Sequence, residues 1–237
     1  MHDYQRAFVD FLLEAGALRF GQFTLKSGRT SPVFLNTGLL DTGSRLRRLG
    51  SAYADAALER LGADGFDVVF GPAYKGIPLS IAMAMSLDER GVDKAALSDR
   101  KEAKTHGAEA SGAPMAKRLL GRVPAADARF VMVDDVLTTG GTKVEAAALL
   151  KEVAPEGSVV ALVIVLDRQE VRPDGVNAVA AFTEQSGVPV LPVVTLTETL
   201  TYLRGAGRLP DADHARCIAY LAEYGTAEAK AWAAAQS

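Results

Sequence analysis

The run Val131-Met132-Val133-Asp134-Asp135-Val136-Leu137-Thr138-Thr139-Gly140-Gly141-Thr142-Lys143 constrains this chain more than any other stretch. Residues 130–133 are a short apolar, partly β-branched run, and Val144, Ala147, Ala148 and Leu150 resume roughly at helical spacing, which predicts a buried strand turning into a helix. Residues 138–142 offer consecutive backbone N–H groups and hydroxyls at the helix N-terminus, and the glycines let the backbone approach a phosphate closely. Two adjacent carboxylates at the strand end would repel that phosphate, so they need other partners: sugar hydroxyls, which donate to carboxylates, or a bound Mg²⁺. A ribose 5-phosphate satisfies both halves. A lone Asp-Asp would read as a helix cap, with Asp135 or Thr138 accepting backbone hydrogen bonds, but the complete string asks for more than a cap.

With 237 residues, 49% of them hydrophobic, the chain has material for one large domain or a domain with an appendage, and the second is expected. Twenty-six basic against 29 acidic residues argue against a protein that coats nucleic acid, without excluding a local basic pocket. The single cysteine, Cys217, excludes intrachain disulfides and cysteine-based metal clusters and fits a reducing cytoplasm. Residues 1–11 lack a signal-peptide core, and no window reaches the roughly 18 apolar residues of a membrane helix. A cytoplasmic protein that engages neither membrane nor nucleic acid is expected.

In chain order, Tyr4, Phe8, Phe11 and Leu12 share one face of an amphipathic helix that Gly16 ends. Two short strands, residues 20–25 and 33–36, flank the segment from Lys26 to Pro32. A helix opening at Gly43 or Ser44 runs through Leu46, Leu49, Tyr53, Ala57 and Leu61 and stops at Gly62. A buried strand over residues 66–70 leads into Gly71-Pro72-Ala73-Tyr74-Lys75-Gly76, a second anion loop ahead of a helix over 78–90. After a short strand at 95–98, the stretch Asp99-Arg100-Lys101-Glu102-Ala103-Lys104-Thr105-His106-Gly107 carries three cations and a histidine without apolar periodicity. It reads as a mobile basic loop, about 100–114, able to close over phosphates. Residues 159–166 read as a buried strand ending in Asp167-Arg168-Gln169-Glu170, residues 188–195 as a last strand, 211–224 as a terminal helix and the Ala-rich tail as a further helix. Strands alternating with helices imply an α/β fold with a mostly parallel twisted sheet flanked by helices. Residues 1–62 are expected to form a small N-terminal hood, and residues 63–237 the α/β core.

The central string resembles the signature of the type I phosphoribosyltransferases, which hold phosphoribosyl pyrophosphate (PRPP) in this way. Together with Lys26-Ser-Gly-Arg-Thr-Ser-Pro-Val-Phe-Leu-Asn36, Gly71-Pro-Ala-Tyr-Lys-Gly-Ile-Pro78, Arg100-Lys-Glu-Ala-Lys-Thr-His-Gly107 and Leu166-Asp-Arg-Gln-Glu170, it resembles the orotate phosphoribosyltransferases in almost every segment from Tyr4 to the C-terminal helix. The resemblance implies the type I phosphoribosyltransferase fold and transfer of the phosphoribosyl group of PRPP to orotate, giving orotidine 5′-monophosphate and pyrophosphate in pyrimidine biosynthesis. Mg²⁺ is implied as cofactor, bound chiefly through PRPP.

The implied PRPP-binding residues are Lys26, Tyr74, Lys75, Arg100, Lys101, Lys104, His106, Asp134, Asp135, Val136, Leu137, Thr138, Thr139, Gly140, Gly141 and Thr142. The aspartates take the ribose hydroxyls, residues 136–142 take the 5′-phosphate, and Tyr74 and Lys75 take pyrophosphate, at a loop where the family often has a cis peptide, here Ala73-Tyr74. Lys26, Phe34, Leu35, Thr138 and Arg168 are the implied orotate contacts, with Arg168 suited to the carboxylate. Leu35 stands where a second aromatic is common in the family. The implied catalytic set is Lys101, Lys104, His106, Asp134 and Asp135, Lys101 above all in turnover. The family also implies a homodimer in which loop 100–107 reaches the neighbouring active site. About 27 residues separate His106 from Asp134, a longer interval than is typical, with residues 124–129 as the implied insertion. Two other readings compete: a purine-base phosphoribosyltransferase, which leaves the Lys26 segment and the Arg-Lys-Glu-Ala-Lys loop unexplained, and a PRPP-binding regulator, which predicts a helix-turn-helix module or basic face that the sequence lacks.

Overall fold

The structure is a computed structural model that describes residues 1–25, 28–101, 118–137, 141–172 and 174–236. Lys26, Lys104, His106, Thr138, Thr139 and Gly140 lie outside the described residues, as does the expected basic loop beyond Lys101.

Helix α1 (Asp3–Glu14) buries Phe8, Val9, Phe11 and Leu12 and ends before Gly16, whose φ of 67° is a left-handed value that glycine adopts without strain. Strands β1 (Leu18–Thr24) and β2 (Thr30–Leu35) pair antiparallel as a two-stranded sheet. Helix α2 (Gly43–Leu61) opens at Gly43, capped by the Thr42 hydroxyl, which accepts the N–H of Arg45, and stops at Gly62 with φ 72°. Both helix stops fall where the sequence sets them.

The main sheet has the order β5-β4-β3-β6-β7-β8 among the described residues. Strands β3 (Val68–Phe70), β4 (Ala95–Asp99), β6 (Arg129–Asp134), β7 (Ser158–Asp167) and β8 (Val190–Thr195) are parallel, and the two-residue β5 (Leu119–Leu120) runs antiparallel at the β4 edge. From β3 the chain moves outward to β4, while from β6 it moves the other way to β7 and β8. The order therefore reverses between β3 and β6, and in open α/β sheets the crevice beyond the carboxyl ends at that point receives ligands.

Alternation along the strands divides the core in two. Val69, Val131, Val133, Val163 and Val165 face one hydrophobic cluster, shared with α1, α2, α3 (Gly76–Asp88), α6 (Leu196–Gly205) and α7 (Asp211–Tyr224). Val68, Phe70, Phe130, Met132, Leu162 and Ile164 face the second, covered by α4 (Gly141–Val153) and α5 (Ala178–Ser186). A sheet buried on both faces is the reason its strands read as continuous apolar runs. Helices α2 and α3 approach closely because position 50 is glycine: a Cβ there would lie 2.2 Å from the Ala82 carbonyl oxygen. The first cluster runs without a break through α1, α2 and the sheet, so residues 1–62 pack as part of the main core. A final short helix, α8 (Ala227–Ala234), forms from the Ala-rich tail, with Thr226 as its cap.

Among the described residues, β5, α5, α6 and the two three-residue 3-10 helices at Thr37–Leu39 and Ala63–Gly65 lie outside the sequence reading. No helix among the described residues is long and apolar enough to cross a membrane.

Candidate active site

The ends of β3 and β6 place two loops side by side. After β3, residues 71–76 turn back on themselves so tightly that a Cβ at Gly71 would lie 1.9 Å from the carbonyl oxygen of Gly76. The Ala73–Tyr74 peptide bond within this loop is cis. Its position is tied to β4 by Asp99, whose Oδ1 accepts the N–H of Ala73 at 2.5 Å while Oδ2 faces Lys101 Nζ at 3.4 Å. Lys101 thus stands beside the loop of Tyr74 and Lys75. Tyr74 is 73% exposed and points to solvent.

After β6, the aspartates diverge in role. Asp134 is buried; its Oδ2 pairs with Lys143 Nζ, its Oδ1 accepts the N–H of Asp135 at 2.7 Å, and its carbonyl accepts the hydroxyl of the fully buried Tyr53 at 2.7 Å. Asp135 Oδ2 receives Lys75 Nζ at 2.9 Å and the Thr37 hydroxyl at 3.1 Å, and Oδ1 accepts the N–H of Val136 at 2.8 Å. Burial pushes the Asp134 carboxyl above its ordinary value, and the pull of Lys143 does not cancel it. Burial acts upward on Asp135 as well, but the Lys75 hydrogen bond and the Val136 N–H outweigh it and hold the group below its ordinary value. The Lys75 ammonium is raised in return by its bond to Asp135.

A third arm comes from the end of β7. Arg168 Nη2 meets Glu170 Oε1 at 2.5 Å, and Glu170 Oε2 accepts the Tyr220 hydroxyl of α7 at 2.5 Å. Gln169 between them has φ 52°, an unusual value for a side-chain-bearing residue. It is held there on every side. Its N–H donates to Asp167, its carbonyl accepts from Thr226 and its side-chain oxygen accepts from Thr197. From the β1–β2 sheet, Arg29 donates to the Val171 carbonyl at 2.7 Å and lies 4.0 Å over the Tyr224 ring. Burial raises the Asp167 carboxyl, opposed by the Gln169 N–H.

These arms enclose one cavity of about 730 Å³. Of the residues expected from sequence, it gathers Phe34, Leu35, Tyr74, Lys75, Asp134, Asp135, Val136, Leu137, Thr142 and Arg168. Its lining combines the apolar Leu25, Phe34, Leu35, Pro72, Val136 and Leu166, which can contact a planar ring, with the charged groups of the three arms. Gly141 begins α4 beside it. Arg100 turns instead to β5, donating from Nε to the Leu119 carbonyl at 2.8 Å. Among the described residues no group of three histidine, cysteine or carboxylate side chains is placed to hold a metal. Each aspartate of the pair is already met by a lysine, so the site suits a divalent ion that arrives on a substrate's phosphate oxygens and retains its waters.

Sequence reasoning missed Lys143, Tyr53, Thr37, Asp99 and Glu170. Tyr53 reads as a helix-face core residue with no local sign of the Asp134 carbonyl it meets, and Lys143, the last residue of the central run, carries no role there although its partner Asp134 stands in the same run. Glu170 stood in the quoted segment with no role assigned to it.

A paired-carboxylate strand end, a helix that opens at Gly141 and a facing lysine loop, at the reversal point of a parallel sheet, define a phosphoribosyl-transferring class of site. Residues 39–193 match the family model described as a phosphoribosyl transferase domain. The chain is 46% identical over 228 residues to an orotate phosphoribosyltransferase of Halorhodospira halophila, covering 96% of this chain and all of that one. It is 41% identical over 227 residues to the enzyme of the same name from Vibrio cholerae, with 95% and 100% covered. A crystal structure of orotate phosphoribosyltransferase from Francisella tularensis superposes with a TM-score of 0.78 at 31% identity, covering 93% of this chain and 100% of that one. The chain belongs to the phosphoribosyl transferase family, in its orotate phosphoribosyltransferase branch.

Proposed function

We propose that this chain transfers the 5-phosphoribosyl group of PRPP to N1 of orotate, forming the N1–C1′ bond, breaking the C1′–O bond and releasing pyrophosphate. The observation that carries this reading is the single cavity in which the aspartate pair, the lysine loop and the Arg168 turn face one another.

Asp134 and Asp135 accept the ribose hydroxyls, and the turn from Val136 to Thr142, entering α4, takes the 5′-phosphate through backbone N–H groups and the helix dipole. Lys75 lies within reach of the leaving diphosphate, and Lys101, beside it through Asp99, joins when the 100–107 segment closes. Bond breaking at C1′ runs ahead of bond making, so positive charge grows on the ribosyl ring while negative charge grows on pyrophosphate. Magnesium on the diphosphate oxygens would neutralise part of that negative charge. Orotate N1 enters as a delocalised anion, so no covalent enzyme nucleophile is required; the protein holds the ring in line, with Phe34 and Leu35 against its face and Arg168 on its carboxylate. Lys26, Lys104, His106 and residues 138–140 belong to the same proposal, the first with orotate and PRPP, the next two with the closing loop and the last with the phosphate. Residues 1–62 act as a hood in the functional sense, through β1, β2 and the Lys26 segment, although their packing is continuous with the core.

We also read the working unit as a homodimer in a reducing cytoplasm. The exposed face of α3, with Pro78, Ile81 and Met85 one turn apart and Tyr74 before them, supports an apolar interface beside the cavity. Sedimentation tests association. Mixing Lys101→Ala subunits with Asp135→Asn subunits tests sharing: regained activity is the expected result, and none would mean a self-contained site.

The reaction is checked by the fall in orotate absorbance on adding the protein to orotate, PRPP and Mg²⁺, with adenine, hypoxanthine and uracil followed by chromatography. Turnover with orotate alone is expected. Tight PRPP binding without orotate turnover would overturn the assignment. Lys101→Ala is expected to lower turnover by about a hundredfold or more, and near-normal turnover would remove Lys101 from the chemistry.

A further inference from the structure

Helix α4 carries a lysine where a helix least accommodates one. Lys143 lies in its first turn, where the unpaired N–H groups create partial positive charge that disfavours a cation. Its side chain is only 11% exposed, and an ammonium withdrawn from water is tolerated only when paired. The structure gives it one acidic partner, Asp134 Oδ2. The nearby Lys75 is engaged elsewhere, on Asp135.

The Asp134 carboxylate is consequently held at both oxygens, by Lys143 on Oδ2 and the Asp135 N–H on Oδ1, while Tyr53 of α2 fixes its carbonyl. Helix α4 and the strand end thus set the side chain, and α2 the backbone that carries it. A buried ion pair stabilises a fold little better than apolar residues of the same volume, so stability is a weak account of this arrangement. Each carboxylate oxygen accepts more than one hydrogen bond, and both Asp134 and Lys143 line the cavity, so a hydroxyl donor placed there still finds acceptor capacity.

We infer that Lys143 is a positioning residue: its ammonium fixes the Asp134 carboxylate in the one orientation that accepts a sugar hydroxyl of the bound phosphoribosyl compound. The inference rests on the proposed reading of Asp134 as a ribose carboxylate. Lys143 follows directly on the phosphate string, so the helix turn that ends the phosphate subsite also sets the sugar subsite. A pentose phosphate is then recognised as one unit.

Calorimetric titration of the full chain with ribose 5-phosphate and with its 2-deoxy and 3-deoxy forms tests this. The wild type is expected to prefer ribose 5-phosphate over at least one deoxy sugar by about tenfold or more, the effect of a hydrogen bond to a charged group. Lys143→Met is expected to reduce that ratio to below about threefold, and Lys143→Arg, which keeps the charge, to restore most of it. A ratio left unchanged in Lys143→Met, or an equal loss for all three sugars with the ratio preserved, would overturn the inference, the second outcome placing Lys143 on the phosphate. Absence of any preference in the wild type would remove the ribose reading of Asp134 itself. Should thermal melting show that Lys143→Met is unfolded, Lys143→Gln carries the same comparison with polarity retained.

Discussion

Arg168 already has a counter-ion in Glu170, at 2.5 Å, and that contact sets the terms on which a substrate carboxylate meets the guanidinium. An incoming carboxylate shares Arg168 with Glu170, whose other oxygen is committed to Tyr220. The planar fork has donors enough for both. Removing it leaves Glu170 facing the base site as an uncompensated charge, so Arg168→Ala is expected to raise KM for orotate by about ten- to a hundredfold, with KM for PRPP changed far less. Steady-state kinetics with each substrate varied in turn check this. At this scale the sequence was legible only in part. Asp134, Asp135 and Lys75 stand in contiguous motifs whose residue types declare an anion and sugar site, whereas Lys143, Tyr53 and Glu170 take their parts from pairings that only the folded chain makes. A buried cation is visible only once its surroundings are.

Among the elements, β6 and its turn into α4 were readable because strand, loop and helix follow one another without a break. Helix α6 was hidden for the opposite reason: Thr195 both ends β8 and caps α6 through a box with Glu198, so no loop composition separates them. Helix α5 exposes much of its surface and buries only Phe182 fully, which leaves a weak periodic pattern. The start of β6 is joined to β3 by Asp67, whose carboxylate takes the Arg129 guanidinium at 2.8 and 3.0 Å and the Arg129 N–H at 2.9 Å. The hydrogen bond from the Arg129 side chain holds the Asp67 carboxyl below its ordinary value. The folded pKa is depressed, so the stabilisation is fully present above the unfolded value of about 3.9 and is lost as pH falls below it through the folded value. Thermal melts of Asp67→Asn against wild type are therefore expected to differ at neutral pH and to converge in acid; a constant difference would show that charge is not the source.

Over the whole molecule, the cavity draws on parts of the chain far apart in sequence: β1–β2, the loops after β3 and β6, the turn after β7, and α7 behind that turn. Helix α7 never enters the cavity, yet its Tyr220 and Tyr224 hold Glu170 and Arg29. Burial, with the Glu170 hydrogen bond adding to it, pushes the Tyr220 phenol up to about 12, so it remains a proton donor to Glu170 across the working pH range. Tyr220→Phe is expected to weaken orotate binding several-fold, the fraction of one charge-assisted hydrogen bond transmitted to Arg168, without altering PRPP binding. Isothermal titration with each substrate separates the two effects.

The reversal of strand order between β3 and β6 divides the sheet into two wings, β5-β4-β3 on one side and β6-β7-β8 on the other, and the proposed substrates lie across the seam. A molecule that grips Lys75 from one wing and Asp134 and Asp135 from the other acts as a staple between them, opposing any opening that separates the halves. Its signature is slower amide exchange in β3 and β7 together on addition of PRPP, although neither strand interior touches it; protection confined to β6 and α4 would mean that the nucleotide precursor rests on one wing alone.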